Sequence, residues 1–255
     1  MSLIIDELKR LNLLNPYNRG LWRRRLRLPV SLHGVKLLTH RIQSHAVVTS
    51  ILRGSYEAAE ASSLQGWLQT EDRVLELGTG FGFVTSLAAK AVKSGEVLSF
   101  EANPYMVELA HETLKLNNVT NVEVRQGIVT ESTGEIAFYL SPHFWESSLT
   151  PNPNWDQITV PTSNLEEVLT SFQPTAVIMD IEGGEYDLLK SDAWDKTLSI
   201  QKLSIEFHRK TGATKELQAL TLFSEHWECD TSIKLLANRL EEEHVTATFV
   251  RAKKK

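Results

Sequence analysis

The stretch Arg73-Val74-Leu75-Glu76-Leu77-Gly78-Thr79-Gly80-Phe81-Gly82-Phe83 constrains this 255-residue chain more than any other. Val74, Leu75 and Leu77 form the short apolar run that a strand covered on both faces requires. Glycines at alternate positions 78, 80 and 82 let the backbone turn sharply and approach a ligand without Cβ collisions. The residues that follow predict a helix over 83–92, whose free N–H groups would stand just behind the turn. A second acid, Glu101, closes the next apolar run, Val97-Leu98-Ser99-Phe100. Strand, glycine turn, helix, strand and acid together describe a nucleotide-type site.

The glycine spacing narrows the ligand. A dinucleotide fingerprint carries two residues between its second and third glycines, and this chain carries one. No Gly-Lys-Ser/Thr follows, which argues against a phosphate-cradling loop. Glu76, two residues before Gly78, would repel a pyrophosphate and suits a cationic cofactor. The competing reading, a connection that is merely glycine-rich, is weakened by Glu101 at the end of the second strand.

From Val74 onward apolar strands alternate with amphipathic helices, the pattern of a parallel sheet covered on both faces. Strands are expected over 73–77, 96–100, 121–125, 175–180, 202–207, 230–236 and 244–250, and helices over 83–92, 104–117, 163–170, 184–189 and 214–223. Residues 1–60 read as an N-terminal helical and hairpin extension, and 61–255 as the α/β domain that holds the glycine turn. In the extension, residues 2–14 have helical spacing, Asn15-Pro16-Tyr17-Asn18 is read as the end of that element, and a hairpin turns near His33-Gly34. Helices are expected from Ser44 to Leu52 and from Ala58 to Leu68. The arginines at 19, 23, 24, 25 and 27 suit an anionic partner, though a solvated helix face explains them more simply. Between the third and fourth strands, Glu131 to Pro161 departs from simple alternation: Ile136–Leu140 reads as an extra strand, followed by an aromatic, proline-rich loop that suits an acceptor-binding cover.

Composition excludes several classes. The net charge of −5 argues against nucleic-acid binding by the whole surface. No apolar run is long enough to span a bilayer, and no secretory signal is visible at Met1–Glu7. The single cysteine, Cys229, cannot form an internal disulfide, which fits a cytoplasmic location and leaves no Cys/His metal cluster.

A second charged place is Ala176-Val177-Ile178-Met179-Asp180-Ile181-Glu182-Gly183-Gly184-Glu185. An apolar strand delivers Asp180 at its C-terminal end, where open α/β sheets bind ligands. Asp180 and Glu182 would share a face if the chain stays extended. Two neighbouring carboxylates orient a substrate, hold a cation or raise one another's pKa. Glu185 and Asp187 also suit a helix N-terminus by charge alone.

Glu76-Leu77-Gly78-Thr79-Gly80-Phe81-Gly82 resembles the first motif of class I S-adenosylmethionine methyltransferases. Added to it, in order, are Gly54-Ser55-Tyr56-Glu57, Phe100-Glu101-Ala102-Asn103-Pro104, Leu116-Asn117, Ser147-Ser148-Leu149, Val160–Glu167, Asp180–Glu185 and Ile205-Glu206-Phe207-His208. Together these resemble the FkbM-type methyltransferase family from about Gly54 to Phe207. Glu76 stands where that family more often has Asp, and so does Asn164. The resemblance implies a Rossmann-like class I methyltransferase α/β fold, its sheet mostly parallel with an antiparallel last strand and helices on both faces. It implies S-adenosylmethionine as cofactor and O-methylation of a small metabolite or glycan, with nucleic acid and membrane not expected as partners. It points to Tyr56, Glu57, Glu76, Gly78, Thr79, Gly80, Gly82, Glu101, Asn103, Gln126 and Asp180 as cofactor-binding residues, Glu101 through the ribose hydroxyls. Asp180, Glu182 and His208 are the candidates for catalysis, with His143 a further candidate base. Asp180, Glu182 and Glu206 or His208 also make up a thin set of metal ligands, and no metal is assigned to them. Alternatives are an RNA acceptor, another group transferred on the same fold, and a catalytically silent scaffold.

Overall fold

The computed structural model describes residues 15–64, 66–142, 147–208, 227–229 and 244–251. The helices expected over 2–14 and 214–223, the strand expected over 230–236, and His143 lie outside the described residues. So does the Cys229 side chain.

A seven-stranded sheet carries the architecture. Its strands are β3 (Arg73–Leu77), β4 (Glu96–Glu101), β5 (Val122–Gln126), β9 (Ala176–Met179), β10 (Lys202–His208), β11 (Trp227–Cys229) and β12 (His244–Arg251). They lie in the order β11-β12-β10-β9-β3-β4-β5. The run from β5 to β10 is parallel, and β12 is antiparallel to both its neighbours. The mostly parallel sheet with an antiparallel last strand is therefore as expected.

Side-chain alternation sorts the core into two layers. Leu75, Leu77, Val177, Met179, Leu203, Ile205 and Phe207 pack on one face with helix α6 (Leu165–Phe172) and with Leu188 and Trp194 of the short helices α7 (Glu185–Leu188) and α8 (Ala193–Lys196). Val74, Val97, Ala176 and Ile178 face the other way, onto Ala88 and Ala89 of α4 (Phe83–Ala91). With a period of two, Glu76 and Asp180 follow Val74 and Ile178 to the α4 face. Glu206 and His208 turn to that face as well, opposite Ile205 and Phe207. Four polar groups at strand ends thus converge on one side of the sheet. Asp72 and Lys202 secure the opposite, N-terminal edge: the Asp72 carboxylate accepts from Lys202 Nζ at 2.5 Å, from the Gln69 amide at 2.7 Å and from Thr175 Oγ1 at 2.7 Å.

The hairpin β1 (Val30–Leu32) and β2 (Val35–Leu37) turns through His33 and Gly34, both at positive φ, the signature of a two-residue type I′ turn. Its inward residues, with α2 (His45–Arg53), share a core with Phe81, Phe83, Met106 and Leu109 directly behind the glycine turn. Asn117, one residue past α5 (Pro104–Leu116), clamps this hairpin. It accepts from the Lys36 amide at 2.9 Å and donates to the Lys36 carbonyl at 2.8 Å, imitating a strand partner.

Two local readings change. Asn15-Pro16, read as the end of an element, also starts one: Asn15 Oδ1 accepts from the Tyr17 amide at 2.8 Å and Pro16 opens α1 (Pro16–Arg25). Asn103-Pro104 does the same for α5. The segment after the proline-rich loop is a strand, β8 (Asp156–Asn164), central in a small sheet between β6 (Ile128–Thr130) and β7 (Gly134–Leu140). Pro161 hid it, but β8 is paired only with β7 up to that residue and gains β6 from Thr162 on. Helix α3 spans Ala58–Leu64. Among the described residues no helix is long and apolar enough to cross a membrane.

Candidate active site

The glycine turn and the Asp180 strand end are built against each other. The Asp180 amide donates to the Leu77 carbonyl and the Gly78 amide to the Phe100 carbonyl, each at 2.9 Å. Gly78 sits at φ +95°, and a Cβ there would fall 1.8 Å from the Asp180 carbonyl oxygen. No other residue satisfies both conditions. Gly82, also at positive φ, precedes α4 and lets it approach Ala110 of α5, whose Cα would stand 3.0 Å from an added Cβ. Gly80 has open space where its Cβ would be, so the turn keeps a free side.

Glu76 is fully buried beneath the turn. Its Oε2 accepts from Thr85 Oγ1 of α4 at 2.7 Å and from Ser99 Oγ of β4, while Ser99 also bonds Thr79 Oγ1. Burial pushes its carboxyl up to about 7 against these bonds, and Oε1 has no partner among the described residues. Glu76 and Thr79 thus stitch the turn to β4 and α4.

Glu101 reaches back under the turn. Its Oε2 accepts from the Gly80 amide and its Oε1 from the Asn103 amide, both at 2.8 Å. Burial lifts it to about 7, opposed by these backbone bonds. The Asn103 side chain caps α5 by accepting from the Tyr105 amide at 3.0 Å. Gln126 ends β5 in register with Glu101 and is exposed. Tyr56 stacks on Phe81 with ring centroids 5.2 Å apart and meets Phe83 edge-on.

Around the ends of β9 and β10 lies a cluster of acids. His208 is its centre: Nδ1 lies 3.0 Å from Glu185 Oε1, and Nε2 lies 3.3 Å from Glu182 Oε2 and 3.6 Å from Asp180 Oδ1. Glu185 is fully buried and also accepts from the Gly183 amide at 2.9 Å. Glu182 and Gly183 both take positive φ, which folds the chain back so that Glu185 reaches His208. Burial alone would depress His208, but the Glu185 bond and the charges of Glu182 and Asp180 lift it to about 9. Asp180 is raised well above the usual carboxylate range by burial, then by Glu206 and Glu182. Burial, followed by Glu60 and Glu57, brings Glu206 up to about 9. Glu57 is likewise raised, by burial and by Glu60. Oxygens of Glu57, Glu60 and Glu206 lie within 4.8 Å of one another, as do ligand atoms of Asp180, Glu182 and His208. So many acids in one half-dry space make it a receptor for positive charge.

A family model described as a methyltransferase FkbM domain matches residues 76–231. The chain belongs to the FkbM methyltransferase family. It carries that family's methyltransferase domain, whose cofactor is S-adenosylmethionine. The chain is 41% identical over 73 residues to a protein-L-isoaspartate O-methyltransferase of Methanococcus aeolicus, covering 28% of this chain and 34% of that protein. It is 30% identical over 128 residues to a ribosomal RNA small subunit methyltransferase A of Leuconostoc mesenteroides, covering 44% of this chain and 40% of that one. These alignments span about a third to two fifths of the length of those curated relatives. Trm5b from Pyrococcus abyssi shares the fold at a TM-score of 0.50 and 14% identity, over 89% of this chain and 56% of that chain.

The structure brings Asp180, Glu182 and His208 together, and gathers Gly78, Thr79, Gly80, Glu76, Glu101 and Asn103 around one turn. The side chains of Glu76 and Asn103 are engaged within the protein there. Sequence reasoning gave no site role to Thr85, Glu60 or Glu185. Glu185 carried a signal of a kind, an acid directly after a glycine pair, but its charge also suits a helix N-terminus.

Proposed function

We propose that this methyltransferase acts on a hydroxyl oxygen of a small polyhydroxylated acceptor, a metabolite or glycan. The observation that carries the reading is Asp180: its Oδ1 is sealed from solvent without a hydrogen-bond partner among the described residues, while 40% of its side chain is exposed. A carboxylate of raised pKa at the mouth of the methyl-donor site suits the proton of an attacking hydroxyl. S-adenosylmethionine supplies an electrophilic methyl group. Glu101 turns from the amides it holds to the ribose hydroxyls, and Gly80 leaves its open side to the cofactor. Tyr56, Glu57 and Asp180 border the cationic end. Glu182 and His208 orient the acceptor. His208, lifted to about 9, is an imidazolium at neutral pH in this arrangement and donates rather than accepts. Glu182 and Glu185 flank His208 on both ring nitrogens and leave no net positive charge there for a phosphate-rich acceptor.

A second reading, an RNA acceptor, has an observation of its own. The basic residues Arg19, Arg23, Arg25 and Arg27 lie beside exposed Leu21, Trp22, Leu26 and Leu28 on and after α1, with Arg25 6.0 Å over the Trp22 ring. A relative named as a ribosomal RNA methyltransferase leaves the exclusion of nucleic acid without support.

Calorimetric titration with S-adenosylmethionine tests the pocket. Glu101→Ala removes two charge-assisted hydrogen bonds, each worth about 1.5–3 kcal/mol, so affinity falls at least about tenfold in a chain whose melting shows it folded. Unchanged affinity refutes the assigned pocket. Labelled cofactor offered to sugars, hydroxylated metabolites and RNA transcripts then decides the acceptor. Label in RNA alone transfers the conclusion to the second reading.

A further inference from the structure

The triad around His208 has a geometry that proton transfer alone does not require. Glu185, fully buried, fixes Nδ1 as the donor nitrogen at 3.0 Å and so turns Nε2 toward Asp180 and Glu182. With Nδ1 given to Glu185, Nε2 faces two carboxylates at 3.3 and 3.6 Å, an arrangement that a positive charge between them relieves, either a proton on Nε2 or, in its place, a bound metal ion. Asp180 Oδ1 meets Nε2 there, sealed from water and without a hydrogen-bond partner among the described residues. A carboxylate holding the far nitrogen of a histidine whose near nitrogen faces further ligands is the outer support that metal-binding histidines use.

We infer that Asp180 Oδ1, Glu182 Oε2 and His208 Nε2 form a divalent-cation site of the Mn2+ class, with Glu185 as its positioning residue. Two carboxylates and one imidazole favour such an ion over an all-thiolate or all-carbonyl binder. Ligands about 2.1 Å from an octahedral ion stand roughly 3.0 Å apart at its edges; Nε2 lies 3.3 and 3.6 Å from its two partners and all three ligand atoms lie within 4.8 Å of one another, a spread that side-chain adjustment closes on an ion. Three protein ligands leave positions open for water and for acceptor oxygens. The exposed part of the Asp180 side chain lies away from Oδ1. The sequence offered Asp180, Glu182 and Glu206 or His208 as a thin set of metal ligands, assigned no metal to them and gave Glu185 no part in it. The inference deepens the proposed oxygen-directed reading and rests on it only for the ion's use, not for its binding.

The test titrates Mn2+ into the chelator-treated full-length chain, following the electron paramagnetic resonance of free Mn2+ with and without S-adenosylmethionine. One saturable ion per chain is expected, weakened about tenfold or more by Glu182→Gln and His208→Ala, and comparably by Glu185→Gln, which keeps the shape but weakens the hold on Nδ1. Circular dichroism and melting confirm that each variant is folded, and the half-buried Glu182→Gln keeps the test valid if Glu185→Gln is not. Absence of saturable binding below millimolar Mn2+ in the folded wild-type chain overturns the site. So does binding that Glu182→Gln and His208→Ala leave unchanged, and so does full competition by S-adenosylmethionine, which would assign the carboxylates to the cofactor's ammonium group. Cofactor affinity measured separately by calorimetry distinguishes failure of the site from failure of the methyltransfer reading.

Discussion

Replacing Glu76 by Gln probes how the glycine turn is held. The wild-type carboxyl is fully buried and raised by desolvation to about 7 from an ordinary 4.5. A raised acid holds its proton more tightly when folded. Its contribution to stability is therefore greatest below pH 4.5, declines as pH rises toward 7, and is lost above it. The shift of about 2.5 units corresponds to roughly 3 kcal/mol in full, of which roughly 2–3 kcal/mol falls between pH 5 and pH 8. Gln keeps an oxygen for the Thr85 and Ser99 hydroxyls but puts an amide where Oε1 has no partner. An unpaired buried donor costs about 1–3 kcal/mol at every pH. The variant should thus be the less stable protein at pH 5 and match or exceed the wild type at pH 8. Urea denaturation at pH 5, 6, 7 and 8 measures the gap, and melting should show a relative gain of roughly 5–10 °C for a chain this size. Curves that stay parallel across the range would show that Glu76 titrates normally, and the account of a dry carboxyl under the turn would fall.

Gly78→Ala places a methyl group 1.8 Å from the Asp180 carbonyl at a φ of +95°, so strain and overpacking together should cost roughly 2–5 kcal/mol. Calorimetry should show a large loss of melting temperature together with loss of cofactor binding, and a folded variant with full affinity contradicts the close approach. Asp72→Ala leaves the Lys202 ammonium, which also donates to the Trp67 carbonyl at 2.9 Å, without its carboxylate, and the Gln69 amide and Thr175 hydroxyl without their acceptor. Equilibrium denaturation should register a loss of about 3–5 kcal/mol, and the double variant Asp72→Ala/Lys202→Met should recover part of it. Equal losses in both would mean that the ion pair is not what the edge of the sheet depends on.

The fold was legible because its information is local. Ala176-Val177-Ile178-Met179 is apolar on both faces, and only a strand between two helix layers uses such a run. The errors are also local, and each has a definite cause. Asn15-Pro16 and Asn103-Pro104 are the same capping chemistry, yet the helix start at the first is missed because a helical pattern precedes it and draws the eye to an end. Pro161 conceals β8 because a proline counts against a strand until it is known on which side the strand is paired. Asn164, a departure from the Asp more usual in the family, does what its position requires. Its Oδ1 caps α6 through the Glu167 amide, and Nδ2 donates to the Glu131 carbonyl, a bond that an ionised Asp could not make.

The site was legible as far as a strand can carry it and no further. The period of two places Glu206 and His208 on one face of β10, and the position of Asp180 at the end of β9 follows from its apolar run. What those residues meet comes from elsewhere: Glu57 from just before α3 and Glu60 from its first turn, and Glu185 from a turn that takes positive φ at both Glu182 and Gly183. Glu182 is not a residue from which that backbone is foreseen, so the extended reading of 180–182 gives a shared face where the chain in fact folds back. That reversal decides the chemistry. It brings a buried carboxylate to Nδ1, commits Nε2 to the two acids in front of it, and turns a histidine that looks like a free base into one whose protonation, or whose metal, is dictated by three neighbours.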